Sequence, residues 1–173
     1  MMKTQYILVD IEAADGPTPY SGRMTEFGAV KSHDRSTFHG RFFDSVPDPE
    51  NPALPVITGE RLVSFEEEMS RFADWLNESA QRHVFVSDNP AFDFMWIADA
   101  FDRAGMVNPF GFSGRRIGDI YAGAIGDLRK SSNWKKHRVT KHDHNPVNDA
   151  LGNAEALDHI VTMFGLEGYP ARD

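Results

Sequence analysis

Apolar and polar residues alternate through Tyr6-Ile7-Leu8-Val9-Asp10-Ile11-Glu12, a period-two pattern that predicts a β-strand. Tyr6, Leu8, Asp10 and Glu12 then share one face, and Ile7, Val9 and Ile11 the other. After a turn-rich stretch at 13–22, residues 25–30 and 36–43 read as two more strands around a polar turn at His33-Asp34-Arg35, which predicts an antiparallel meander. Residues 44–64 carry Pro47, Pro49, Pro52 and Pro55 and predict mostly irregular chain, with one helical turn before Gly59. Ser64 with Glu67 three residues on has the form of a capping box, and Phe65, Met69, Phe72, Ala73 and Leu76 follow at helical spacing.

Residues 83–87 read as a short buried strand. Asn89-Pro90 then opens a helix, since Asn is a favoured cap and Pro is favoured at the first helical position. Its apolar stripe is Phe92, Trp96, Ile97, Ala100 and Phe101, ending near Gly105. Residues 115–121 fit either a strand or a helix start. Asn145-Pro146 repeats the earlier opening, followed by Val147, Ala150, Leu151, Ala154, Leu157, Val161 and Phe164. Strands followed by alternating strands and helices predict an α/β domain over residues 1–173.

Composition narrows the class. With 173 residues, 40% hydrophobic and 12% aromatic, the chain can build one globular core and is not disordered. No apolar run is long enough to span a bilayer and no secretory signal core precedes the first strand, which predicts a cytoplasmic protein without a membrane partner. There is no cysteine, so disulfides, thiolate metal sites and cysteine nucleophiles are excluded, and any metal falls to Asp, Glu or His. The net charge of -8 argues against a generic polyanion binder but leaves open a local basic surface.

The candidate chemistry begins with Asp10 and Glu12. Their Cα atoms lie roughly 7 Å apart on an extended strand, so both carboxylates can reach one hard divalent cation. The alternative is a strand that ends in ordinary surface acids. Each Asn-Pro helix start also places an aspartate, Asp93 or Asp149, in its first turn, where free N–H groups favour negative charge. Plain helix capping accounts for either one alone. In α/β sheets, however, helix N-termini gather at the carboxyl ends of strands, which would bring four carboxylates together.

His144 precedes Asp149 by five positions and is a candidate general base, because a free imidazole titrates at about 6.5. His142 competes for that role. Arg129, Lys130, Lys135, Lys136, Arg138 and Lys141 crowd into thirteen residues around Trp134. Cations for phosphates and an aromatic for base stacking suit a single strand; a solvated loop is the alternative.

Taken together, Asp10-Ile11-Glu12, Asn89-Pro90-Ala91-Phe92-Asp93 and His144-Asn145-Pro146-Val147-Asn148-Asp149 resemble, in order and approximate spacing, the three motifs of the DEDD 3'-5' exonucleases. The strand Glu26-Phe27-Gly28-Ala29-Val30 matches the one that usually follows the first motif. The H-x4-D form is similar to the histidine subgroup, which includes ribonuclease T, oligoribonuclease and the proofreading subunit. The resemblance implies a ribonuclease H-like fold, a mixed β-sheet flanked by α-helices. It also implies two Mg²⁺ or Mn²⁺ ions held by Asp10, Glu12, Asp93 and Asp149, with His144 as the base toward the attacking water.

The implied partner is the 3' end of a single-stranded nucleic acid, RNA more than DNA, with release of nucleoside 5'-monophosphates. Ala13, Asn89, Trp134, Lys135, Lys136 and Arg138 are the expected substrate contacts, and a homodimer is kept as a candidate assembly. The chain departs from the family in carrying Ala13-Ala14-Asp15-Gly16 where many members have Thr-Thr-Gly, which bears on substrate preference and not on metal chemistry. Two other classes remain. A phosphatase with an aspartyl nucleophile would want Asp-x-Asp at the first strand, where Glu12 stands. An inactive binding module would have no need of all four carboxylates and the histidine.

Overall fold

The computed structural model describes residues 4–51, 54–78 and 82–169. Its main sheet has five strands in the order β3-β2-β1-β6-β7: β1 is Thr4–Ala14, β2 Arg23–Lys31, β3 Thr37–Arg41, β6 Arg82–Ser87 and β7 Gly114–Arg116. The first three strands form the expected antiparallel meander, while β6 runs parallel to β1 and β7 parallel to β6. The sheet is therefore mixed.

Side-chain alternation along β1 divides the interior into two cores. Ile7, Val9 and Ile11 pack on one face with Phe27, Phe72, Phe85, Ile97 and Phe101, under α1 (Phe65–Asn77) and α2 (Pro90–Arg103). Tyr6 and Leu8 pack on the other with Val30, Val86, Ala150, Ala154, Leu157 and Ile160, where α3 (Ile117–Ile125) and α4 (Pro146–Phe164) lie. Both faces of β1 are buried, as a central strand between two helical layers requires. Ser64 caps α1 as expected, its hydroxyl accepting from the Glu67 N–H at 3.1 Å.

Residues 44–64 differ from expectation. They hold a two-stranded hairpin, β4 (Phe43–Val46) with β5 (Val56–Arg61), and no helical turn before Gly59. The prolines fall in the connection between the strands, where no ladder N–H is needed, and Val56-Ile57 supply the β-branched start of β5. Of that connection, Pro52 lies outside the described residues. Residues 115–121 prove to be both alternatives in succession, since β7 passes into α3 without a loop.

The basic segment folds into two short 3-10 turns, Leu128–Lys130 and Asn133–His137. The meander turn is fixed to the opposite layer through Arg35, which donates to the Ala154 carbonyl at 3.2 Å and pairs with Asp158.

Candidate active site

Asp10 and Glu12 stand on the α4 side of β1, and both are almost fully buried. The β1–β2 register shifts between Glu12 and Ala13, and Thr25 at that shift donates its hydroxyl to the Glu12 carbonyl at 2.9 Å. A bulge of this kind re-aims the strand beside it.

Asp149 comes from α4, whose start is held by Asn145: its side-chain oxygen accepts from Val147 N at 3.1 Å and Asn148 N at 3.2 Å. Gly28 lies opposite Asp10 on β2. A Cβ there would fall 2.2 Å from the Pro146 backbone, so only glycine lets the helix close onto the sheet. That contact sets Asp149 over β1, and ligand atoms of Asp10, Glu12 and Asp149 lie within 4.8 Å of one another.

Asp93 sits in the first turn of α2. The Asn89 carbonyl accepts from Phe92 N at 2.9 Å and Asp93 N at 3.0 Å, but the Asn89 side chain makes no capping hydrogen bond and is exposed. Asp93 is outside the 4.8 Å triad yet close enough to be the first of the charges that raise Asp10.

The electrostatics of this group are those of an under-neutralised pocket. Burial, then Asp149, Glu26 and Asp93, pushes Glu12 up to about 8. Burial and then Asp88 push Asp93 up to about 8, with the nearby Ser87 hydroxyl and the Asn89 and Ile11 backbone acting in the opposite sense. Asp10 is held well above the carboxylate range by burial and then by Asp93, Asp149, Asp88 and Glu12. Asp93 Oδ2 is buried without a hydrogen-bond partner. Hard oxygen donors without enough positive charge, one of them unpaired, fit a divalent cation.

Both histidines reach the group. His144 Nδ1 stands 3.8 Å from Glu12 Oε1, and its backbone takes a positive φ of 61°. His142 Nδ1 is 2.6 Å from Asp149 Oδ2. That oxygen nevertheless lacks a hydrogen-bonded donor, because the ring N–H is misaligned despite the short separation. The two rings meet edge to face at 4.4 Å.

The expected substrate contacts divide. Lys135 and Lys136 are exposed, with Lys135 Nζ 3.6 Å from Asp88 Oδ2. Trp134 is not available for stacking on a base. It is 1% exposed and belongs to the core beneath α4, where its indole carries Arg138 at 5.8 Å from the ring centroid. Arg138 has a second partner: its largely buried guanidinium donates to the Asp149 carbonyl at 2.6 Å and holds that aspartate from behind, while the residue also lines a cleft with Lys135, Lys141 and His142. The Ala13 side chain faces the α1–α2 core, as period two demands of a residue next to Glu12, and offers a substrate nothing but its backbone.

Asp88 is a fifth acid that the motifs did not single out. Continued by two residues, the parallel register that pairs Leu8 with Val86 places it beside Asp10. The alternation of Val84 and Val86 on β6, carried one step past the strand's end to Asp88 and matching Tyr6, Leu8 and Asp10 on β1, is the signal that points to it.

Solved structures share this architecture. The nuclease domain of 3'hExo, a DEDDh family member bound to rAMP, superposes with a TM-score of 0.58 at 14% identity, over 92% of this chain and 90% of that one. Exonuclease I gives a TM-score of 0.54 at 13% identity, over 93% of this chain and 41% of its own length. Its E. coli form has been solved with single-stranded DNA. This chain thus shares the fold of these exonucleases, a mixed sheet between helical layers with an acidic centre at the end of its first strand. Residues 5–161 match the profile of the 3'-5' exoribonuclease Rv2179c-like domain, and the chain belongs to that family of 3'-5' exonucleases. The 3'-5' DNA exonuclease Cap18 of Escherichia coli is 28% identical over 168 residues, 88% of this chain and 89% of that protein. Among the described residues no helix is long and apolar enough to cross a membrane.

Proposed function

We propose that this chain hydrolyses the terminal phosphodiester at the 3' end of single-stranded RNA and releases nucleoside 5'-monophosphates. The convergence of Asp10, Glu12 and Asp149 within 4.8 Å, beside Asp93, carries this reading. Those three would hold one Mg²⁺ or Mn²⁺, with Asp10 and Asp93 serving a second. When bound, such a pair supplies an activated water and charge stabilisation at the leaving oxygen.

The chain's own residues do the remainder. His144, half-buried and 3.8 Å from Glu12, would accept the proton of the attacking water. Arg138 and Asn145 fix Asp149, the first through its carbonyl and the second through the helix start. The exposed Lys135 and Lys136 would serve strand phosphates, and the exposed Asn89 amide, which makes no capping hydrogen bond, would serve the terminal nucleotide.

RNA is favoured by the family to which the chain belongs. Action on DNA is the second reading, supported by the likeness to Cap18. Matched 5'-labelled RNA and DNA oligomers incubated with Mn²⁺ decide between them. Faster shortening of the RNA is expected; faster shortening of the DNA would reverse the assignment, and an intact strand of each kind would refute the activity.

A further inference from the structure

Around the rim of the sheet from the acids, three guanidinium groups gather on two phenylalanine rings. Arg61 lies 4.6 Å from the centroid of Phe65 and 5.1 Å from that of Phe43. Arg23 lies 5.4 Å from Phe43, and Arg103 5.4 Å from Phe65. They come from separate elements, β2, β5 and α2, so the folded chain assembles the cluster. With Pro19, Trp96 and Asp99 they line one small cleft.

Hydrogen-bond accounting leaves this group short of acceptors. Arg23 Nε donates to Asp15 at 2.5 Å, while Arg103 donates to Asp99 at 2.7 Å and to the Pro19 carbonyl at 3.3 Å. Arg61 makes no ion pair or side-chain hydrogen bond among the described residues. Three cations therefore share two carboxylates, in a chain whose net charge is -8. Partial burial first, and the neighbouring Arg103 and Arg23 second, lower the pKa of Arg61. Stacking on a ring covers a guanidinium's face and leaves its edge free, which is the geometry for a two-pronged grip on a phosphate.

The position suits a long strand. Arg23 is opposite Ala14 in the β1–β2 register, roughly 7 Å past Glu12 along β1. Arg103 lies ten residues beyond Asp93 on α2, roughly 15 Å along the helix. We propose that Arg23, Arg61 and Arg103, seated on Phe43 and Phe65, form a clamp for upstream phosphates of a nucleic-acid strand whose 3' end lies at the acidic pocket. This rests on the exonuclease reading for the placement of the 3' end, not for the existence of the clamp.

Arg61 is the residue to change, because it is exposed and its guanidinium is the unpaired one. Binding of a labelled long single strand in EDTA, read by fluorescence anisotropy across a salt series, is compared for wild type, Arg61→Ala and Arg61→Lys. Arg61→Ala should weaken binding about five- to tenfold and reduce the salt slope by about one, while Arg61→Lys restores the slope but not the full affinity. With Mn²⁺, kcat/KM on the long strand should fall about tenfold further than on a dinucleotide. Unchanged binding and slope in Arg61→Ala, or equal losses on both substrates, would overturn the clamp. Wild-type protein that binds long strands through Arg61 yet cleaves nothing would sustain the clamp and sink the exonuclease reading.

Discussion

Removing divalent cations should turn the acidic pocket into a pH-dependent weakness of the fold. Glu12 and Asp93 are pushed up to about 8 and Asp10 well above its ordinary range, by burial first and neighbouring carboxylates second. The folded, metal-free protein therefore keeps protons that the unfolded chain releases at about pH 4. With folded pKa values raised, stability is greatest below the unfolded values and is lost as pH rises through the folded ones.

Each proton held by the folded state alone contributes about 1.4 kcal/mol per pH unit. The three carboxylates share one pocket and titrate as a set, so one to two protons is the fair count, and a rise from about pH 6.5 to about pH 8 should remove roughly 2–4 kcal/mol. At about 2–4 °C per kcal/mol for a chain of this size, Tm in EDTA should fall by roughly 5–15 °C. His83 and His137, whose pKa values burial lowers, act in the opposite sense, below about pH 6.5 where a free imidazole titrates. Differential scanning fluorimetry of wild type and Glu12→Gln across this range isolates the pocket. The variant should show a shallower fall, and Mn²⁺ should raise wild-type Tm more at the higher pH. A flat or rising wild-type Tm in EDTA, or the same slope in Glu12→Gln, would refute the reasoning.

His144→Ala should lower kcat by roughly 10²- to 10⁴-fold with Mn²⁺ binding retained by calorimetry; His142→Ala should lose less, and the reverse order would make His142 the base. Gly28→Ala should cost about 3 kcal/mol or more in a urea melt, because its Cβ has to displace the Pro146 backbone from 2.2 Å; an unperturbed melt would show that α4 can shift without loss. Lys135→Ala with Lys136→Ala should raise KM and flatten its salt dependence. Arg138→Ala should instead lower stability by about 2–4 kcal/mol, as loss of a buried charged donor does, and a pure KM effect would assign Arg138 to the strand track alone.

What the sequence made legible was local. Period two placed Asp10 and Glu12 together and opposite Ile11, and two Asn-Pro starts placed Asp93 and Asp149 in first turns, which the structure brings to one end of the sheet. What it concealed was long-range. Trp134 lies among exposed cations in sequence, and only the packing of the 3-10 turn against α4 makes it core. The prolines of residues 44–64 masked a hairpin, because sequence does not say that they all sit in its connection. Asp88 became visible through the parallel register of β6 with β1, and the arginine cluster through the meeting of β2, β5 and α2. Ala13 shows the converse: motif position suggested a contact, while strand alternation had already turned its side chain inward.

The most direct test follows the first product from a 3'-labelled single-stranded oligomer, with wild type and Asp10→Ala, in Mn²⁺ and in EDTA. The acidic pocket as a 3'-end hydrolase predicts that wild type in Mn²⁺ releases the label as a nucleoside 5'-monophosphate from the earliest time point. Asp10→Ala, in which the remaining carboxylates cannot hold the ions in the same geometry, and wild type in EDTA, from which the ions are removed, should release essentially none. Label that first appears in longer fragments, or Asp10→Ala as active as wild type, would contradict it.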